Sequence, residues 1–294
     1  MTDKRSYWIG VLLTGLGAVV LSPDALLFRL LESDLWTAAF WRLLLMGLTI
    51  MGGLMVIRRR RLIGDIRAIG WALAPASICM AISNIGFVYA LTHSTVAETL
   101  TILATAPVFA AIFAAFLGER PPLRTWVAAL AIAAGIAIIL DAGFSGGTSA
   151  GNVGALIAAI SIAGFFTIGR IRRDCDMTPA LGLSSILSAI ACGCMAGTLQ
   201  PADGDWPVLI AVGVFILPIA FTLITLGPRR LPAAEVGLLM LLETALGPLW
   251  VWLALEEAPS EATLLGGGLI VAALAAHSFA AWRAERPGAA QTEA

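Results

Sequence analysis

Two ionisable side chains interrupt long apolar stretches of this 294-residue sequence and are the first candidates for chemistry. Glu243 lies near the middle of the apolar run 232–254, and Arg42 lies inside the run 35–57. Because a charge in hydrocarbon is costly, such residues usually face a cavity or a partner. A central carboxylate could bind an amine or carry a proton, and a guanidinium could bind a carboxylate through its planar fork. Structural roles stay open for both residues. Glu243 could be a protonated acid or an acid paired with an arginine. For Arg42 we favour a structural role, in which the side chain either snorkels to the headgroups or pairs with an acid.

A glycine–proline pair follows Glu243 in the same run. Proline has no backbone N–H to donate, so Gly247 and Pro248 predict a kink or break about one turn beyond the acid. Discontinuous helices are typical of substrate sites in secondary transporters. We therefore expect these two residues to act in gating.

Weaker candidates are polar or aromatic residues in otherwise apolar runs. Glu98, Thr101 and Thr105 are spaced i, i+3 and i+7, so they share one helical face. Serine and threonine in membranes more often bond a neighbouring helix or their own backbone. Glu98 also has the capping-box spacing from Thr95, and capping is its favoured role. The candidate substrate-lining residues are Trp41, Asn84, Tyr89, Thr101, Thr105 and Thr222, beside Glu243 and Arg42.

The elements that must hold these residues follow from composition. Hydrophobic residues make up 59% of the chain and charged residues 13%, against roughly 45–50% and about 25% in soluble domains. This composition excludes a soluble globular class and predicts an all-α, polytopic membrane protein with ten transmembrane helices. Each apolar run can cross a hydrocarbon layer of about 30 Å. The runs are 7–27, 35–57, 68–91, 96–117, 123–140, 150–169, 179–199, 206–226, 232–254 and 262–282.

Charges alternate between the loops. Of the eighteen lysine and arginine residues, all but Arg29 and Arg42 fall in segments that ten spans place on one side. The opposite loops carry acids such as Glu32, Asp34 and Asp205. Because basic loops stay on the cytoplasmic side, we expect both termini to be cytoplasmic. The expected location is the inner (plasma) membrane, where the lipid bilayer surrounds the chain.

Two pairs of predicted spans resemble each other. A shift of 137 residues aligns the fourth and fifth spans with the ninth and tenth, so that Glu98 meets Glu235 and Glu119 meets Glu256. The copies are an odd number of spans apart, so the second must be inverted in the membrane. We therefore divide the chain into two five-helix repeats of opposite orientation, 1–145 and 146–294.

These segments resemble a known family. Tyr89–Leu91, Pro107 and Leu117–Arg120 follow one half of the drug/metabolite transporter superfamily, EamA type: an aromatic–Ala–Leu end to the third helix, a proline in the fourth, then a Leu-Gly-Glu-Arg exit. Pro107 is thereby a further candidate for a helix break. Glu243–Thr244 departs from the usual Glu-Pro, and Leu255–Glu257 from Leu-Gly-Glu. The resemblance implies a transporter, similar overall to the YddG-like amino-acid exporters.

Together these features predict a secondary transporter that exports small metabolites by alternating access, with amino acids, aromatic or other apolar ones among them, as the first candidates. Exporters of drugs, nucleobases, polyamines or organic acids are the alternatives. The sequence has no phosphate-binding lysine loop, so a gradient would supply the energy. An enzyme is disfavoured, because the sequence offers no nucleophile–base or metal constellation, and a channel is disfavoured too. We expect no cofactor, metal or nucleic acid, and a monomer rather than an obligate oligomer.

Overall fold

The structure, a computed structural model, describes residues 4–59, 61–118, 123–141, 149–172, 174–226, 233–256 and 261–285. Every regular element in these residues is helical. The helices are α1 (Lys4–Leu21), α2 (Asp24–Arg29), α3 (Leu35–Arg58), α4 (Arg61–Ile69), α5 (Leu73–His93), α6 (Val96–Leu103), α7 (Ala106–Phe116), α8 (Leu123–Asp141), α9 (Ser149–Ile171), α10 (Thr178–Met195), α11 (Trp206–Ile210), α12 (Leu217–Leu226), α13 (Ala233–Leu255) and α14 (Glu261–Glu285). A 3₁₀ turn joins α4 to α5, and a π-helical turn, Ala211–Ile216, joins α11 to α12.

The helices form consecutive segments that coincide with the ten predicted spans. Within the described residues, six segments have the length and hydropathy of a membrane crossing: Trp8–Arg29, Leu35–Arg58, Arg61–His93, Ser149–Ile171, Thr178–Met195 and Trp206–Leu226. The other predicted spans correspond to α6 with α7, α8, α13 and α14. The expected all-α, polytopic fold is confirmed. One element was missed, since α4 lies in what the charges predict as a loop, where it buries Leu62 and Ile69.

Two segments break where the local sequence favours an interruption. α1 ends at Leu21, and Pro23, which lacks a backbone donor, stands directly before α2. α6 and α7 are separated by a turn just before Pro107. In this turn the Thr105 hydroxyl donates to the carbonyl oxygen of Ile102 (2.6 Å). A turn therefore precedes Pro107 in this conformation, and its role in gating stays a prediction.

The break expected at Gly247 and Pro248 is not seen. α13 runs without interruption from Ala233 to Leu255. Proline removes only one intrahelical hydrogen bond, and the turns on both sides continue the helix. Gly247 serves close packing instead, because a Cβ atom there would collide with the Leu100 side chain of α6. The predicted break is thus wrong for this conformation, whereas a gating role for the pair stays a prediction.

Most of the large helix contacts join a helix from the first half of the chain to one from the second. α3 packs on α10, α5 on α9, α8 on α14, and α1 on α12. Each of the first five spans corresponds to one of the last five, in the same order. Exchanging corresponding spans turns the α5–α9 pair into the α12–α1 pair, and it leaves the α3–α10 and α8–α14 pairs unchanged. An inverted repeat produces this pattern.

A glycine from the first half lies at each of these four contacts. In lipid, small residues let helix backbones approach closely, which compensates for the missing hydrophobic drive between helices. An ideal Cβ atom on Gly17 would lie 3.0 Å from the carbonyl oxygen of Ala220, and one on Gly47 would lie 3.1 Å from that of Gly182. The corresponding distances are 2.9 Å from Gly86 to Gly154 and 2.8 Å from Gly135 to Gly266. Larger side chains at these positions would push the two halves apart.

At the end that the charges predict to be non-cytoplasmic, which we call the outer end, polar contacts tie the halves together. The Asp205 carboxylate accepts hydrogen bonds from the backbone N–H groups of Glu32 (3.1 Å) and Ser33 (2.8 Å) and from the Ser33 hydroxyl. The Thr37 hydroxyl donates to the carbonyl of Thr198 (2.5 Å). Burial alone would raise the pKa of Asp205, but the Ser33 and Glu32 donors hold it below its usual range.

A second set of contacts lies at the opposite, inner end. The Arg58 guanidinium, at the end of α3, pairs with Asp65 (2.8 Å) and with Asp176 of the second half. Arg172 donates to the carbonyl oxygen of Ala68 (2.5 Å). Burial would raise the pKa of Asp176, yet hydrogen bonds from Thr178 and Arg58 hold it below its usual range. Loops that the charge pattern assigns to one side therefore contact each other here.

Candidate functional site

A buried ion pair lies between α2 and α3. The Nη1 atom of Arg42 lies 3.0 and 3.1 Å from the two carboxylate oxygens of Asp24. Both side chains are buried, with 7% and 8% of their surface exposed. The interruption of the first span at Ser22 and Pro23 places Asp24 at the start of α2, opposite Arg42. In this conformation Arg42 is therefore paired with an acid inside the bundle, as its structural interpretation describes.

Asp24 does not use all of the Arg42 donors. The Nε atom of Arg42 is buried and has no hydrogen-bond partner among the described residues. Two aromatic rings flank the guanidinium, with its carbon 4.8 Å from the Phe28 ring centre and 5.7 Å from that of Phe87. Such rings stabilise a cation electrostatically without using its N–H groups. Arg42 therefore retains donor capacity for a second acceptor.

Glu243 faces the same region from α13. It lies ten residues after the start of this helix and twelve before its end, which is about 15 and 18 Å along the axis. Its side chain is half-buried, and α13 packs against α2, which carries Asp24, so that the two carboxyl groups repel each other electrostatically. Among the described residues, no group donates a hydrogen bond to it. The Trp250 indole N–H, further along α13, donates to the Ser22 hydroxyl (3.0 Å) and fastens this helix to the turn before Asp24.

The buried pair of Asp24 and Arg42, with the half-buried Glu243 facing it from α13, is one group of charges, which we call the charge cluster. With all three ionised, it carries two negative charges and one positive charge. In a region of low dielectric constant, the remaining negative charge favours uptake of a cation or a proton. Chemically, the charge cluster can accept a positively charged group and still offer N–H donors to an anionic one.

Trp41, the neighbour of Arg42, contacts the outer end of the second half. Its indole N–H donates to the carbonyl oxygen of Leu199 (2.6 Å). Its ring meets those of Phe40 and Trp206 edge to face, with ring centres 5.1 and 4.9 Å apart. Trp41 therefore lies over the outer side of the charge cluster rather than around Glu243.

The polar residues expected to line a pathway are mostly engaged in contacts between helices. Asn84 donates to the Ser188 hydroxyl of α10 (3.2 Å), and Thr101 is buried against Gly267 of α14. The carbonyl of Thr222 accepts from the Thr225 hydroxyl within one helix (3.0 Å). These contacts show where the residues lie and leave their predicted roles untested.

Tyr89 lies away from the charge cluster. Its ring stacks on that of His93, with centres 4.3 Å apart, and it lines a cavity between α5 and α9. The side chains of Pro107 and Pro248 lie outside the described part of the chain. Glu98 is buried, its backbone N–H donates to the Thr95 hydroxyl (3.2 Å), and its carboxylate accepts from Ser94 (2.5 Å). Thr95 therefore caps α6 as its spacing predicts, whereas a capping role for the Glu98 side chain stays a prediction.

Asp24 is the residue of the charge cluster that sequence reasoning missed. It lies near the end of the first apolar run, after Pro23. An acid preceded by a proline inside an apolar run was the available signal. Phe28 and Phe87 carried no comparable signal, because the chain has twelve phenylalanines and aromatic residues are ordinary in membrane helices.

A model of the EamA-like transporter family matches the sequence twice, over residues 8–141 and over residues 149–279. No match is found among curated proteins. Among solved structures, one described as "Crystal structure of protein" superposes with a TM-score of 0.66, covering 94% of this chain and 99% of the other at 20% sequence identity. At this identity the likeness concerns the fold alone.

Proposed function

The chain belongs to the EamA-like transporter family, and from this premise we propose that it exports small metabolites, amino acids foremost, by alternating access. The family is one of multi-pass membrane transporters of the drug/metabolite type. The single observation that carries the choice of solute is the charge cluster. It combines an acidic group in the middle of α13, Glu243, with an arginine, Arg42, whose buried Nε has no partner within the described part of the chain.

A zwitterion fits this arrangement. Its ammonium group would approach Glu243 and offset the excess negative charge of the charge cluster. Its carboxylate would accept a hydrogen bond from Arg42, which Asp24 holds in place through a different nitrogen. A buried N–H without an acceptor is unfavourable, so an arriving carboxylate would satisfy a group to which no described residue offers an acceptor.

Alternating access is supported by the arrangement of the contacts between the two halves. Helices of the two halves pair in the pattern of an inverted repeat, and each end of the bundle has its own set of polar contacts across the boundary. Halves that rock against each other would break one set and keep the other. The driving force would be a gradient, with Glu243 binding a proton when no substrate amine neutralises it.

The location and assembly follow the same proposal. We place the protein in the inner (plasma) membrane with both termini cytoplasmic, because the basic residues gather at one end. We take the monomer as the working unit, because Asp24, Arg42 and Glu243 come from both halves of one chain.

The decisive experiment is Glu243→Gln in vesicles loaded with labelled amino acids. We expect efflux to be abolished, or to lose its dependence on the gradient, while the protein still inserts. The matched control is Glu256→Gln, which changes an exposed acid at the end of the same helix. Normal efflux by Glu243→Gln would refute the assignment.

One alternative solute class has a specific observation in its favour. Because Asp24 already pairs with Arg42, Glu243 could be the only group left for substrate, which favours amines without a carboxylate, such as polyamines. Competition in the same vesicles separates the two. If amino-acid amides compete as well as the free amino acids, the carboxylate is not recognised and the amine alternative holds.

A further inference from the structure

A groove on the side of the molecule lies apart from the charge cluster. It has a volume of about 470 Å³, within the range of small-molecule pockets. α5 contributes Ile82, Gly86 and Tyr89, while α9 contributes Ser149, Val153 and Ile157. Tyr89 lies two positions after Phe87 and hence about 200° further around α5. Because Phe87 contacts Arg42, the α5–α9 groove and the charge cluster lie on opposite faces of this helix.

The groove opens sideways. Its wall residues Ile82, Val153 and Ile157 are 42%, 51% and 46% exposed. They belong to segments that cross the membrane, so the medium they meet is lipid hydrocarbon. The α5–α9 groove is therefore a recess in the lipid-facing surface and continuous with it.

The length of the groove, measured along the helix axes, is close to the hydrocarbon thickness of one leaflet. From Ser149 to Ile157 there are eight residues, or about 12 Å, and from Tyr89 back to Ile82 there are seven, or about 10 Å. Half of a hydrocarbon layer measures about 15 Å. The groove thus starts at the outer end of the membrane and stops short of the midplane.

The polarity of the groove changes along this direction. Isoleucine and valine side chains line its inner part, while the hydroxyl-bearing residues Ser149 and Tyr89 lie toward the outer end, near His93, the last residue of α5. Tyrosine prefers the level of the lipid headgroups. An apolar interior with a polar rim matches a lipid, whose acyl chain leads to a polar ester region.

Two glycines form the floor of the groove where the halves meet. At Gly86 an added Cβ atom would lie 2.9 Å from the Gly154 carbonyl oxygen, so the two backbones pack directly against each other here. The floor of the groove therefore belongs both to α5, from the first half, and to α9, from the second. Whatever fills the groove therefore contacts both halves.

We propose that the α5–α9 groove binds one acyl chain of a phospholipid from the outer leaflet, with the ester region at Ser149 and Tyr89. The chain would pack against Ile82, Val153 and Ile157. This site is independent of the solute that the charge cluster takes.

The test uses the full chain in vesicles containing a phospholipid with a photoactivatable diazirine in its acyl chain, followed by peptide mapping of the adducts. We expect the wild-type adducts to concentrate on the groove residues of α5 and α9. Val153→Trp, which fills the groove, should lose them, and Ala150→Phe should do so by filling its outer part. The matched control is Ile160→Trp, at a lipid-facing position two turns further along α9 and outside the groove, which should keep them.

The contrary results are equally specific. Adducts spread evenly along the lipid-facing surface, and unchanged in both filled variants, would overturn the proposal. A protein that is a dimer as wild type and a monomer as Val153→Trp would identify a second copy as the occupant, which also overturns it.

Discussion

The buried pair of Asp24 and Arg42 allows a prediction with a magnitude and a sign. Asp24→Asn leaves the Arg42 guanidinium in place without the acid that it pairs with. Removing one partner of a buried ion pair costs about 3–5 kcal/mol. This range applies, because the two side chains are only 7% and 8% exposed. We therefore expect Asp24→Asn to lower the free energy of unfolding by about 3 kcal/mol.

The reciprocal change should cost less. Arg42→Met leaves Asp24 unpaired, but a carboxyl group can take up a proton and become neutral, whereas a guanidinium cannot lose one in a protein. Replacing both partners, as in Asp24→Leu with Arg42→Met, removes both charges and should restore most of the stability. The expected order of stability is thus wild type and double variant, then Arg42→Met, then Asp24→Asn.

The assay is a reversible denaturant titration of each variant in bicelles, with efflux measured in parallel. A double variant as unstable as Asp24→Asn would refute the reasoning, because it would show that the loss does not come from an unpaired charge. Efflux adds a separate answer. A double variant that is stable but fails to move amino acids would assign Arg42 to the substrate as well as to Asp24.

Two further predictions concern the contacts between the halves. Gly47→Ala should lower stability by about 1–3 kcal/mol by overpacking, because the added methyl would lie 2.7 Å from the Ile186 side chain. The control is Gly52→Ala, in the same helix with nothing within 4 Å, which should be neutral or stabilising. Equal effects of the two substitutions in thermal unfolding would contradict this account. Asp205→Asn should increase hydrogen exchange in residues 30–34 near neutral pH. Because the pKa of Asp205 is held below its usual 3.8, the wild-type contact is fully present above that value and is lost only as the pH falls through the lower folded-state pKa. The refuting result is hydrogen exchange in this loop of the wild-type protein that already rises between pH 7 and 5, after correction for the intrinsic pH dependence of exchange.

The spans could be predicted because membrane insertion depends on local composition and on the charge of short loops. The run 123–140, for example, became α8, Leu123–Asp141. α4 escaped because its nine residues include three charges, so it was interpreted as a basic loop. Its amphipathic pattern is too short to stand out from such a loop by hydropathy alone.

The site could be predicted only in part, because pairing between helices is not a local property. Glu243 and Arg42 were found as charges in apolar runs, but Asp24 became meaningful only when α2 packed beside α3. The same limit explains Gly247, which was interpreted from the proline that follows it. The structure shows instead that Gly247 makes room for Leu100 of another helix, a contact that no local pattern encodes.

The fastening of α3 at both ends has a consequence for leakage. This helix of 24 residues is about 36 Å long, and it is tied to the second half through Thr37 near one end and Arg58 at the other. Because the two sets of contacts are far apart, their costs add. If opening either end costs about 2 kcal/mol, that state is about 30-fold rarer than the closed one, and a continuous pore is about a thousandfold rarer. Under the proposed alternating access, a molecule that opens one end at a time would therefore move solute while any gradient across the membrane is preserved.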